Sequence, residues 1–254
     1  MTLSNKRTKQ RKHEAFFRLN SDTCIQVVQD TSKVDGMGGE VWAGALILCE
    51  FLTKHNKNVV HGREVIELGA GCGLCGLVAA SLGAKLVVLT DEYPDLLAEN
   101  ILRNRHIWAE REANASPIAS CRRLEWGAAN SFTSFEQKFD TMLGSEITQL
   151  GRILHAPLLE AIRIVLRPGP DSVAFLSMDM CQASCEGTCD VSKCTASHFV
   201  AVAKQTGFTV YKHSSVHLAS HKAVTTLVGA LGRRLKVDQD DWSTVYELRF
   251  GDTI

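Results

Sequence analysis

The chain has 254 residues, 45% of them apolar, and its 28 basic and 28 acidic side chains cancel. That length can bury one sizeable core without a second domain. Zero net charge offers no global field for specific nucleic-acid binding or an acidic membrane, and the longest uncharged run, 68–84, holds five glycines and is too short to span a bilayer.

The nine cysteines are an odd number in a chain with no signal-peptide pattern, so reduced thiols in the cytoplasm are expected. Residues 1–13 form a basic arm (Lys6, Arg7, Lys9, Arg11, Lys12), expected to be disordered, with a nuclear address as the alternative. Residues 14–254 are expected to form one domain: a hairpin and helix over 14–62, then a core over 63–254. The hairpin reads from Phe16–Leu19 and Cys24–Val28, separated by Asn20-Ser21-Asp22. Gly36-Met37-Gly38-Gly39 is a loop, and Trp42, Ala45, Leu46, Cys49 and Leu52 recur at the spacing of an amphipathic helix.

The densest signal follows. An apolar run, Val65-Ile66, leads into Glu67-Leu68-Gly69-Ala70-Gly71-Cys72-Gly73-Leu74-Cys75-Gly76, and a second run, 86–90, ends at Asp91. A strand, a glycine turn, a helix opening near Gly73 and a second strand ending in an acid build a nucleoside site. Glycines let backbone approach a ligand, a helix start presents unpaired N–H groups, and a carboxylate can take both ribose hydroxyls. Two frames compete. Gly71-x-Gly73-x-x-Gly76 with Asp91 fits the dinucleotide fingerprint. Glu67-x-Gly69-x-Gly71-x-Gly73 fits motif I of S-adenosylmethionine (AdoMet) methyltransferases, and Glu67 beside a pyrophosphate would set two anions against each other. The second frame is preferred; glycines serving only tight packing are the plain alternative.

Beyond it, Pro94 opens a helix with Leu96, Leu97, Ile101 and Leu102 inward. Strands are expected near 118–124 and 139–144, then a helix from Leu154 to Leu166 stopped by Pro168-Gly169-Pro170, and a strand at 173–178. The tail offers a helix at 199–205 and strands at 208–212 and 244–250. Seven strands with intervening helices make a doubly wound, Rossmann-like α/β layer.

Taken in order, Gly39-Glu40-Val41-Trp42, the run 65–74, Leu89-Thr90-Asp91, Leu124-Glu125-Trp126-Gly127 and Phe139-Asp140-Thr141-Met142-Leu143-Gly144-Ser145-Glu146 resemble the seven-β-strand methyltransferases that modify lysines of non-histone proteins. The resemblance covers roughly 14–250. It implies strand order 3-2-1-4-5-7-6 with the last strand antiparallel, AdoMet as cofactor, and a protein as substrate. It assigns Trp42, Glu67, Gly69, Ala70, Gly71, Asp91, Trp126 and Ser145 to the cofactor, with Asp91 on the ribose and Trp126 beside the adenine. The chain is expected to act as a monomer, without a membrane.

The acceptor end departs from the family. Where relatives carry an acid followed three residues later by an aromatic, this chain has Glu146-Ile147-Thr148-Gln149. Glu146 is the candidate that orients the acceptor. Gln149 leaves arginine, a small-molecule acceptor and a non-catalytic binding module as alternatives to lysine. Cys181, Cys185, Cys189 and Cys194 lack the paired spacing of zinc sites, and no metal is assigned.

Overall fold

The computed structural model describes residues 12–34, 37–54, 57–112, 117–179, 194–213, 216–217 and 242–251. An antiparallel hairpin comes first, β1 (His13–Arg18) and β2 (Cys24–Gln29), turned by Asn20, whose Oδ1 accepts the N–H groups of Asp22 and Thr23. Then follow α1 (Ala43–Lys54), β3 (Glu64–Leu68), α2 (Leu74–Ser81), β4 (Leu86–Asp91), α3 (Asp95–Asn104), β5 (Ala119–Arg123), β6 (Thr141–Ser145), α4 (His155–Val165), β7 (Val173–Asp179), α5 (Thr195–Gln205), β8 (Phe208–Lys212), the two-residue β9 (Val216–His217) and β10 (Trp242–Phe250).

The main sheet runs β5-β4-β3-β6-β7-β10-β8, with β9 attached to β10. Strands β5 to β7 pair in parallel, and β10 runs antiparallel to both β7 and β8. Leaving out β9, this is the expected order 3-2-1-4-5-7-6 with an antiparallel last strand. Side chains alternate between faces along each strand. Val65, Val87, Leu89 and Phe175 join the core beneath α1, α2 and α3, while Ile66, Leu68, Val88 and Leu176 join the core shared with α4 and α5.

Several expectations shift for physical reasons. The first helix is not amphipathic: Gly44 through Leu52 are all buried, because α1 is covered by the sheet on one side and by α2 on another. Trp42 precedes that helix rather than lying on its inner face, and is 41% exposed. Phe139 stands outside β6, making an isolated bridge to Leu166, and Asp140 turns away to pair with Arg167 and to accept the Glu64 N–H. At the amino terminus, Lys12 pairs with Glu99 and His13 opens β1, so both belong to the fold; the rest of the basic arm lies outside the described residues.

One device had no sequence reading. Asn100 and Asn104, one turn apart on α3 and both buried, face the edge of β2. Asn100 accepts the Val28 N–H and donates to the Val28 carbonyl, and Asn104 does the same at Gln26. Two side-chain amides thus replace a neighbouring strand, satisfying backbone groups that burial would otherwise leave costly. Asn100 also donates to the Cys72 carbonyl, which ties the hairpin to the glycine turn.

Candidate active site

A cavity of about 620 Å³ opens at the carboxyl ends of β3, β4 and β6. This is where open α/β sheets hold their ligands. All nine residues singled out from the sequence line it: Trp42, Glu67, Gly69, Ala70, Gly71, Asp91, Trp126, Ser145 and Glu146.

The floor is the glycine turn between β3 and α2. Gly71 has φ +53°, and a Cβ there would lie 2.7 Å from the Gly38 carbonyl oxygen. Only glycine permits both the left-handed backbone and that contact. The Met37–Glu40 loop therefore rests directly on the turn, and the Trp42 indole N–H donates to the Met37 carbonyl to hold the loop's far end. A second glycine cluster beside Trp42 was legible, but its contact with motif I was not, since nothing local encodes a 33-residue separation.

Asp91 ends β4 with both carboxylate oxygens oriented. Oδ2 accepts the Gly71 N–H at 2.9 Å and Oδ1 the Tyr93 N–H at 3.2 Å. Each oxygen keeps a further lone pair toward the cavity. On the opposite wall, Trp126 and Ile147 close over Gly69; a Cβ at Gly69 would lie 3.2 Å from the Trp126 ring and 2.7 Å from Ile147.

Glu67 and Glu146 share a structural task. α2 begins at Gly73, which has no side chain to cap it, and Glu67 supplies the cap from β3 by accepting the Gly76 N–H at 2.7 Å. Burial pushes the Glu67 carboxyl up to about 8, against the opposing pull of the Gly76 and Cys75 hydrogen bonds. It is 1% exposed, so its contact with the cavity is slight. Glu146 caps α1 in the same way across the cavity, its Oε1 accepting the Gly44 N–H at 2.5 Å. Gly44 is required: a Cβ there would come within 2.6 Å of Oε1.

Glu146 also holds a left-handed backbone, φ +55°, uncommon for a side chain of this size and characteristic of functional sites. Its N–H donates to the Ser177 carbonyl, and the chain then turns through short 3₁₀ segments, 147–150 and 152–154. Behind this turn, buried His155 donates from Nε2 to the Thr148 carbonyl. Its Nδ1 is then an acceptor, and His198 donates to it from Nδ1 at 2.8 Å. Burial lowers the His155 pKa, which favours the neutral His155 ring this arrangement needs. Gln149 and Leu150 line the cavity just past Glu146.

Among the described residues the lining carries Glu40, Glu67, Asp91, Glu92 and Glu146, and no lysine, arginine or histidine. Glu40 and Glu92 are the acids the sequence reading passed over. No group of side chains suited to a metal ion occurs among the described residues. Of the four clustered cysteines, Cys181, Cys185 and Cys189 lie outside the described residues. Cys194 is buried, its Sγ accepting the Ser197 N–H at the start of α5.

Comparison with known proteins agrees with this geometry. Among solved structures, TYW2 of Pyrococcus horikoshii in complex with MeSAdo superposes with TM-score 0.52 at 14% identity, over 94% of this chain and 72% of that one, which speaks to the fold. Protein-lysine methyltransferase METTL21E of Mus musculus is 35% identical over 127 residues, 47% of this chain and 48% of the relative. Protein N-lysine methyltransferase METTL21A of Danio rerio is 37% identical over 155 residues, 60% of this chain and 65% of the relative. The matches thus span about half to just under two thirds of those relatives' length. The sequence model of the lysine methyltransferase family matches residues 19–178, well over half of the chain, and the protein belongs to that family.

Proposed function

We propose that the protein transfers a methyl group from AdoMet to the ε-amine of a lysine in another protein. The charge of the cavity is the observation that carries this reading. Among the described residues, five carboxyl groups line it and no basic side chain does. Even with Glu67 held neutral by burial, four remain. A dinucleotide pyrophosphate would meet only like charge in a partly desolvated space. AdoMet is cationic at sulfur and lysine arrives as an ammonium, so both match the walls. The family and the names of the relatives, protein-lysine methyltransferases, support the same acceptor.

The residues fit the cofactor. Asp91, oriented by two backbone N–H groups, would take the ribose hydroxyls. The Trp126 ring would lie beside the adenine, and the backbone of Gly69, Ala70, Gly71 and Ser145, with Trp42, would border the rest. Glu67 would act through the turn, by fixing the start of α2, more than by touching the ligand. When bound, AdoMet supplies an electrophilic methyl group on its sulfonium.

The chain's own task is then alignment, the largest contribution a site can make to an in-line displacement. Glu146 would hold the lysine Nζ. The Gly44 N–H pins its Oε1, and the start of α1 favours its negative charge. A free lysine, with pKa about 10.4, is protonated at neutral pH and must lose a proton from Nζ before it attacks. That proton leaves to water at the open mouth. Gln149, where the family resemblance implies an aromatic, favours a second reading in which a planar guanidinium is the acceptor. The reduced cysteines expected from the sequence are in keeping with the cytoplasm, and the basic arm with the nucleus as an alternative.

Incubation with tritiated AdoMet and a cell extract, followed by mass spectrometry of each labelled band, tests this. Label on a protein lysine is expected. Label on arginine supports the second reading, and no protein label while AdoMet binds overturns both.

A further inference from the structure

Seven large apolar side chains are exposed among the described residues, and they are not scattered. Met37, Trp42, Tyr93 and Leu150 line the cavity mouth, and Ile153 lies between Leu150 and Leu154, both of which line it. Leu150 is 49% and Ile153 86% exposed. Held on short 3₁₀ turns beside Glu146, they are exposed and add little to the core of the described residues. Apolar side chains gathered at one opening and rimmed by polar groups mark an interaction site. Its rim is acidic, with Glu40 and Glu92 exposed and Glu146 half-buried at the entrance. Arg152, the basic residue of the same stretch, is exposed beside Ile153, and like it lies just outside the cavity lining.

We infer that Trp42, Leu150 and Ile153 form the docking surface for the substrate protein, and that the segment they accept carries its lysine between apolar neighbours. This rests on the lysine reading and deepens it by naming the sequence around the acceptor. Charge complementarity fixes the occupant. The carboxylates admit a cationic side chain into the cavity while the apolar collar outside it receives the flanking residues. An anionic lipid surface, the other common partner of exposed apolar side chains, would be repelled by the same carboxylates.

The test uses short acetylated peptides with a central lysine flanked by leucines, by serines or by glutamates. Their affinities are measured by calorimetry on the full chain saturated with S-adenosylhomocysteine. The leucine-flanked peptide is expected to bind about fivefold more tightly than the serine-flanked one, the order set by partly burying an aliphatic side chain, with the glutamate-flanked peptide weakest. Ile153→Glu should abolish the leucine preference and leave S-adenosylhomocysteine affinity unchanged; at 86% exposure the change leaves the core intact. Equal binding of all three peptides, or a preference that survives Ile153→Glu, overturns the docking surface. Transfer of label from tritiated AdoMet is read separately. Preference without transfer contradicts the lysine reading while supporting the surface, and transfer without preference contradicts the surface alone.

Discussion

The two ends of the cavity are built differently. The end at β3 and β4 is backbone-determined: the Gly38 carbonyl leaves no room for a side chain at Gly71, and the Gly71 and Tyr93 N–H groups hold Asp91 from two directions. The end after β6 is side-chain-determined. It comprises one glutamate on a left-handed backbone, two short 3₁₀ turns, and exposed apolar residues supported from behind by a histidine pair. A backbone-built site can change little without losing the fold, whereas turns that present side chains can be resurfaced one residue at a time. The first end therefore reads as a shared cofactor site and the second as the place where the acceptor is chosen.

The sharpest way to break that division is to remove Asp91. Asp91→Ala deletes a carboxylate that would accept from two ribose hydroxyls, at about 1.5–3 kcal/mol for each charge-assisted bond, so AdoMet affinity should fall by roughly a hundredfold or more. Calorimetry checks this; equal affinity for wild type and variant removes the ribose assignment. Glu146→Gln acts at the other end. It keeps an oxygen for the Gly44 N–H but loses the charge, so turnover should drop about 10- to 100-fold with AdoMet affinity unchanged. If both quantities fall together, the two ends are not separable.

A smaller change sharpens the comparison. Gln149→Tyr introduces the aromatic that the family resemblance implies at this position, which adds an apolar wall and a cation–π contact of about 0.5–2 kcal/mol. Lysine methylation of a substrate peptide should rise between about twofold and thirtyfold. Unchanged lysine transfer, with label on arginine in the wild type, favours the guanidinium reading.

A further effect is on stability, away from the chemistry. Burial holds the folded Glu67 carboxyl near 8, against 4.5 for the exposed group. Below pH 4.5 it is protonated in both states. Between 4.5 and 8 the folded state binds more protons than the unfolded, so stability declines as pH rises, by no more than about 1.4 kcal/mol per pH unit, the linkage slope of one proton. Urea denaturation across this window should show that decline, and Glu67→Gln, which keeps an acceptor for the Gly76 N–H, should flatten it.

What could be read from the sequence follows the same division. The apolar runs at β3 and β4, the glycine turn and Asp91 are local patterns; the sheet order and the cofactor-side residues were implied by the family resemblance, and the structure has that order and brings those residues to one cavity. α1 was misread as amphipathic because apolar spacing cannot reveal that a helix is covered on both sides. Asn100 and Asn104 look like ordinary helix polars until β2 lies against them. Glu67 decided between the two glycine frames by its charge, yet in the structure it is buried and caps α2. The frame it favoured is better supported by the sign of the whole cavity, to which Glu40 and Glu92 contribute from loops far apart in the chain. Long-range juxtaposition of loop side chains leaves no periodic trace, which is why the acceptor rim was the least legible part.

The central claim is that a cavity whose described walls carry carboxylates and no bases selects a cationic cofactor. Calorimetric titration of the full chain with AdoMet and, in parallel, with NADH tests it most directly. The account predicts micromolar AdoMet binding with no measurable heat from NADH. Tight NADH binding with none for AdoMet would contradict it and restore the dinucleotide frame.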